Sequence, residues 1–252
     1  MRKSIVLIIY MLCFLSISLC AAKQKLYWYL ASSMLKPGKE IVHKFNSEKH
    51  DFKVLLVIGG SGHLISKIQL SEKGDLYTPA SKYFLNRALE SGLVLDYQKL
   101  LIQKPVFGLY KSNKNSCSAF SDLLESNIKL AVGNPKTMAL GMIYYVAKTK
   151  MDKLLVEKLK DNEIVYAISV AQIVNYVLSG VVDAGLMFDT VAKANGLSYI
   201  KIPEKYCSGE YAYLATLKCS SNKKNVELFK KFILKQETIF QKYCFQLKAI
   251  KN

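Results

Sequence analysis

Apolar strand-like runs alternate with amphipathic helix-like runs along this chain, and that alternation narrows the fold more than any other feature. Residues 26–30 read as a first strand, and after Ser33 a helix carries Ile41, Val42 and Phe45 on one face. Residues 52–58 are almost wholly apolar and suit a strand buried on both sides. Gly59-Gly60-Ser61-Gly62 then turns into a helix bearing Leu64, Ile65 and Ile68. A strand at 75–78 and a helix from Lys82 to near Gly92 follow. Residues 100–110 are extended with Pro105 inside them, and 114–118 form a polar loop. The pattern restarts with a strand at 130–133, and Asn134-Pro135 leads into a helix over 142–150. A strand at 164–168 precedes Ser169, which can cap a helix carrying Ile173, Val174 and Val177. Strands at 183–188, 199–202 and 211–217 precede a long helix starting near Asn222. Such alternation predicts α/β layers with mostly parallel sheets, and its two blocks predict two lobes.

Composition supports a packed core. Of 252 residues, 51% are hydrophobic and 22% charged, which excludes a disordered chain. The formal net charge is +17, yet the lysines are scattered, and no basic run interleaved with aromatics appears. The reading is a solvated basic surface with no nucleic-acid partner.

The first residues predict export. Met1-Arg2-Lys3 precedes an apolar stretch at 5–19, and Cys20-Ala21-Ala22 supplies small residues for cleavage after Ala22. Residues 1–22 are therefore expected to be a signal peptide and the mature chain periplasmic, with a net charge of +15 once Arg2 and Lys3 are lost. A retained anchor is disfavoured by the short apolar stretch, and lipidation at Cys20 by the bulky Leu19 before it. Cys117, Cys207, Cys219 and Cys244 remain, and an exported protein permits disulfides. Cys207 and Cys219 flank an expected hairpin and are the first pair to consider, as a structural bridge rather than a metal or catalytic site.

Three strand-to-helix turns could carry chemistry: Ala31-Ser32-Ser33, Gly60-Ser61-Gly62 and Ser169-Val170. Helix N-termini expose N–H groups without intrahelical partners and carry partial positive charge. Converging on one cleft, they would bind an anion without Lys or Arg. Any single turn alone is better explained by helix capping, and Gly-Gly-Ser-Gly is not a P-loop.

The order of these motifs resembles the periplasmic molybdate-binding proteins of ABC transporters, the ModA family, over nearly the whole mature chain. The matching stretches are Ala31-Ser32-Ser33-Met34, Gly60-Ser61-Gly62-His63-Leu64, Gly74-Asp75-Leu76-Tyr77 with Ala80-Ser81, residues 130–135 through Ala139-Leu140-Gly141, and residues 180–188. The resemblance implies a two-lobed type II periplasmic-binding-protein fold, with residues 23–104 plus 203–252 in one lobe and 105–202 in the other. It implies a monomeric receptor, without cofactor or resident metal, that closes by hinge motion on molybdate or tungstate and delivers it to a membrane permease. The ligand-holding positions it implies are Ser33 and Ser61, backbone N–H groups near Leu140 and Val170, and Phe188.

The chain also departs from the family. Phe188 stands where a ligand-binding tyrosine is usual, Asp189 follows it, and Asn134 replaces a common aspartate. His63, Met138 and Met187 fall near the expected site and leave a metal or metal-complex ligand conceivable, although a rim histidine and core methionines are the preferred reading. An exported enzyme is the competing class, but no Ser-His-Asp set, paired-carboxylate motif or HExxH occurs, and the three histidines are His43, His50 and His63. A partner-binding protein reusing the fold is a third reading, against which the two retained serines speak.

Overall fold

The computed structural model describes residues 23–110, 117–125 and 127–247. The expected leader and most of the polar loop at 114–118 lie outside the described residues.

Two sheets organise the chain, each flanked by helices. The first has the order β11-β4-β10-β3-β1-β2, with β1 Gln24–Ala31, β2 Phe52–Gly59, β3 Leu76–Thr78, β4 Val94–Gln103, β10 Glu210–Leu217 and β11 Gln246–Leu247. The second has the order β7-β6-β8-β5-β9, with β5 Pro105–Leu109, β6 Leu130–Gly133, β7 Glu163–Ala167, β8 Ala184–Phe188 and β9 Tyr199–Lys201. Each contains one parallel trio, β2-β1-β3 and β7-β6-β8. The remaining pairings are antiparallel, because they belong to the strands beside the crossings between sheets and to the C-terminal strand. The extended stretch expected at 100–110 is in fact two strands in different sheets, divided at Lys104. Pro105 opens the second, where a residue lacking N–H costs the ladder least. The chain returns between β9 and β10, so two segments join the lobes.

The helices follow the apolar periods. Helix α1 (Leu35–Ser47) buries Ile41 and Phe45, and α2 (Ser61–Ser71) buries Leu64, Ile65 and Ile68. Helix α3 (Lys82–Glu90) begins with Ser81 accepting from the Phe84 N–H. In the second lobe, α4 spans Ala139–Lys148, α5 Lys153–Asn162, α6 Val170–Leu178 and α7 Asp189–Ala194. Helices α8 (Lys223–Leu234) and α9 (Glu237–Lys242) return to the first lobe, so the expected single C-terminal helix is broken near Lys235. Its core there is aromatic: Phe229 meets Trp28 and Phe45 edge-on, and the Trp28 indole donates to Thr78 Oγ1 at 2.8 Å.

Two expectations are corrected. Strand β2 is not buried on both sides: it is the outermost strand, with α1 against it, and Lys53 and Leu55 are exposed. Cys207 and Cys219 do not pair, and neither they nor Cys244 form a disulfide. The two flank a single strand, β10, rather than a hairpin. Eight extended residues separate them by roughly 25 Å, far beyond disulfide reach.

Candidate functional site

Both parallel trios end at the same place. Ala31 ends β1 and Ser32 and Ser33 follow it, Gly60 and Ser61 follow β2, and Ala80 follows β3. From the second lobe come Met138, Ala139 and Leu140 after β6, Val170 after β7, and Phe188 at the end of β8. All of these line one small cavity. Ligands of parallel α/β sheets sit beyond the carboxyl ends of their strands, and here six strand ends from two sheets share one such place. Ser33, Ser61, Leu140, Val170 and Phe188, singled out from the sequence, are all among its walls.

Three serine hydroxyls from the first lobe border the cavity, and their partners differ. Ser61 Oγ accepts from the Ala80 N–H at 3.2 Å, which leaves its own hydrogen free to donate. The Ser61 carbonyl accepts from the Tyr77 phenol at 2.9 Å, and complete burial pushes that phenol well above its ordinary pKa, so it stays a donor. Ser32 Oγ accepts from the Val170 N–H at 3.1 Å across the cleft, and its hydrogen is likewise available. Ser33 is different: its Oγ is buried with no hydrogen-bond partner. A buried orphan hydroxyl costs about 1–3 kcal/mol, and it is the kind of exception that calls for a ligand.

The second lobe supplies backbone rather than side chains. Helix α4 begins at Ala139, and its first N–H groups have no intrahelical acceptor. Helix α6 begins at Val170, with Ser169 accepting from the Gln172 N–H as expected of a cap. The Val170 N–H, expected to face a ligand directly, is held by Ser32. Ser32 is the residue sequence reasoning passed over, although it stands in the quoted Ala-Ser-Ser turn. Phe188 closes the cavity with a fully buried ring and no donor.

The remaining candidates are placed elsewhere. Asp189 does not line the cavity: one carboxylate oxygen accepts from the Lys104 N–H at 2.9 Å and the other from Lys193 Nζ at 3.2 Å. His63 is exposed and not among the walls, and Met187 is packed against Gly108. Met138 alone of the three borders the cavity. Asn134 Oδ1 accepts from the Lys136 N–H and shapes the turn before α4. Among the described residues, no group of three or more His, Cys, Asp or Glu could hold a metal ion.

The lobes touch around this cavity. Gly62 N–H donates to the Thr137 carbonyl at 2.9 Å. A Cβ at Gly60 would lie 2.6 Å from the Thr137 oxygen and 2.8 Å from the Ile168 oxygen, so only glycine lets the two backbones meet. Further out, Lys36 Nζ donates to the Ala194 carbonyl at 2.7 Å and to Asn195 Oδ1 at 2.8 Å. The structure is thus a closed form, with three sets of hydrogen bonds bridging the cleft.

Comparison with known proteins places this geometry. The family model described as "Bacterial extracellular solute-binding protein" matches residues 26–246. A Haemophilus influenzae protein, provisionally named a binding protein, is 29% identical over 164 residues, 64% of this chain and 65% of its own length, so the match spans just under two thirds of that relative. A Bacillus subtilis protein, provisionally named the ABC transporter substrate-binding lipoprotein YvgL, is 26% identical over 221 residues, covering 85% of this chain and 84% of its own. The periplasmic molybdate-binding protein of Azotobacter vinelandii shares the fold with a TM-score of 0.74 at 19% identity, over 90% of this chain and 100% of that one. The chain belongs to the bacterial extracellular solute-binding protein family. No helix of the described residues is long and apolar enough to cross a membrane.

Proposed function

We propose that this solute-binding protein is the receptor of an ABC transporter and captures a small tetrahedral oxyanion, molybdate or tungstate in the first instance, between its lobes before passing it to a permease. The observation that carries the reading is the Ser33 hydroxyl, buried without a partner in a cavity walled by helix N-termini. The Ser32 and Ser61 hydroxyls beside it each accept a backbone N–H and keep a hydrogen to donate. An acceptor-rich dianion satisfies such donors at once, and dispersed neutral dipoles can hold it without a cation. No carboxylate lines the cavity to oppose it. The named Bacillus and Azotobacter proteins support the transporter and the oxyanion parts of the reading. Phe188 removes one hydroxyl that the molybdate resemblance leads one to expect, so the panel that tests the reading includes sulfate and phosphate.

The test is a thermal-shift and calorimetric titration of the purified protein with molybdate, tungstate, sulfate and phosphate. A ligand bound by the native state alone stabilises it by RT ln(1 + [L]/Kd), about 2.7 kcal/mol at a hundredfold excess over Kd, and so raises the melting temperature. The expected outcome is a one-to-one complex with at least one of the four anions. Absence of a shift with all of them would sink the reading for a bare oxyanion.

A further inference from the structure

The small cavity shares a wall with a second space. Ser32, Ser33 and Val170 line both, and the second is the larger. The second space differs in chemistry. Its walls include Pro37 of α1, Val174 of α6, Val191 of α7 and Phe245 of the C-terminal segment, and no carboxylate is among them. Its one cation, Lys36, is engaged by the Ala194 carbonyl and Asn195 Oδ1. Pockets that take organic molecules are mostly apolar with a few placed polar groups. The two spaces together have that composition.

We infer that the oxyanion this protein takes carries a short apolar substituent, as in an alkyl or aryl phosphonate or a phosphomonoester. The oxyanion head sits among the three serines, and the substituent extends past Ser32 and Val170 into the crevice between α1, α6 and α7. This rests on the oxyanion reading above and narrows it. A bare ion would leave the space between the apolar walls of Val174, Val191 and Phe245 unused, whereas an apolar substituent entering it leaves water itself. Among the described residues, Lys36 is the one cation of the crevice and is already bound across the cleft, so a neutral tail is the matching chemistry.

Calorimetry with inorganic phosphate, methyl-, propyl- and phenylphosphonate tests this, with molybdate and sulfate as bare-ion references. The expected result is affinity rising with the tail, by about fourfold per buried methylene at ~0.8 kcal/mol each, so that propylphosphonate binds more than tenfold tighter than methylphosphonate. Val191→Phe, which fills the crevice away from the serines, is expected to cancel that gain in a protein that circular dichroism shows to be folded. Bare anions binding with no gain, or a loss, from the tail would overturn the inference and leave the oxyanion reading standing. A gain that persists undiminished in a folded Val191→Phe protein would also overturn it, since the tail would lie elsewhere. If neither bare nor substituted anions bind, the oxyanion reading fails and this inference fails with it.

Discussion

The two lobes bring different chemistry to one cavity. The first presents hydroxyls, Ser32, Ser33 and Ser61, while the second presents backbone N–H groups behind apolar side chains, at Ala139, Leu140 and Val170, together with the bare ring of Phe188. Ser61 is oriented by a donor from its own lobe, the Ala80 N–H, so that part of the site exists before closure. The second lobe's share arrives only when the lobes meet, because the Val170 N–H reaches Ser32 across the cleft. The division suggests an order of events: the first lobe meets the anion, and the second completes the cage by hinge closure. Sequence sensitivity should divide the same way. A hydroxyl is lost with its side chain, whereas an N–H survives every substitution except proline.

The largest expected effect breaks the meeting of the lobes itself. Gly60→Val would place a β-branched side chain where a Cβ already comes within 2.6 Å and 2.8 Å of second-lobe carbonyl oxygens. Gly60 has φ −67° and ψ 145°, which valine adopts without strain, so the first lobe should fold normally. The overpacking cost, at least about 3 kcal/mol against rigid backbone, falls on the closed state alone. Anion affinity should drop more than about a hundredfold, and small-angle scattering should show an open form in saturating ligand. Wild-type affinity in Gly60→Val would mean that the closed contact is not the binding form.

Next come the two serines, which separate binding from stability within one lobe. Ser33→Ala and Ser61→Ala should each weaken anion binding by about 1.5–3 kcal/mol, the worth of a hydrogen bond to a charged group, roughly ten- to over a hundredfold. Their unliganded stabilities should differ. Ser61→Ala strands the buried Ala80 N–H, at a cost of about 1 kcal/mol or more and a fall of about 2–4 °C in Tm. Ser33→Ala removes a hydroxyl that has no partner and should leave Tm unchanged or higher. Should both variants bind as the wild type does, the hydroxyl side of the comparison collapses.

How much of this was legible in the sequence follows from the same physics. Strand-to-helix turns show in sequence because a run of buried residues must stop where a capping or glycine residue begins; Ser33, Ser61 and Ser169 were found that way. Helices α5 and α7 were missed. Helix α5, Lys153–Asn162, is so lysine-rich that its apolar face is thin, with Leu159 and Asn162 its buried residues. Helix α7, Asp189–Ala194, is shorter than two turns. The role of Ser32 was illegible because its partner, Val170, is 138 residues away, and no local pattern reports a contact made across a closing cleft. The apolar run of β2 misled for the opposite reason: hydrophobicity tells that a strand packs, not whether it lies at the edge of its sheet.

The smallest effect tests whether the second lobe truly acts through its backbone. Val170 is the first residue of α6, a position where proline is tolerated because the missing N–H has no intrahelical acceptor. Ser169 before it lies at φ −151° and ψ 152°, a conformation compatible with a following proline. Val170→Pro therefore deletes one N–H and leaves the helix standing. Ser32 Oγ loses the donor that orients it, and bare-anion binding should weaken by about 0.5–1.5 kcal/mol, some two- to tenfold. Val170→Ala keeps the N–H and trims only the side chain, so the same anion should bind within about twofold of wild type. The pair is informative because both variants lose the isopropyl group and one alone loses the donor. Equal losses in the two would assign the second lobe's contribution to packing by Val170, and the contrast between a hydroxyl lobe and a backbone lobe would no longer hold.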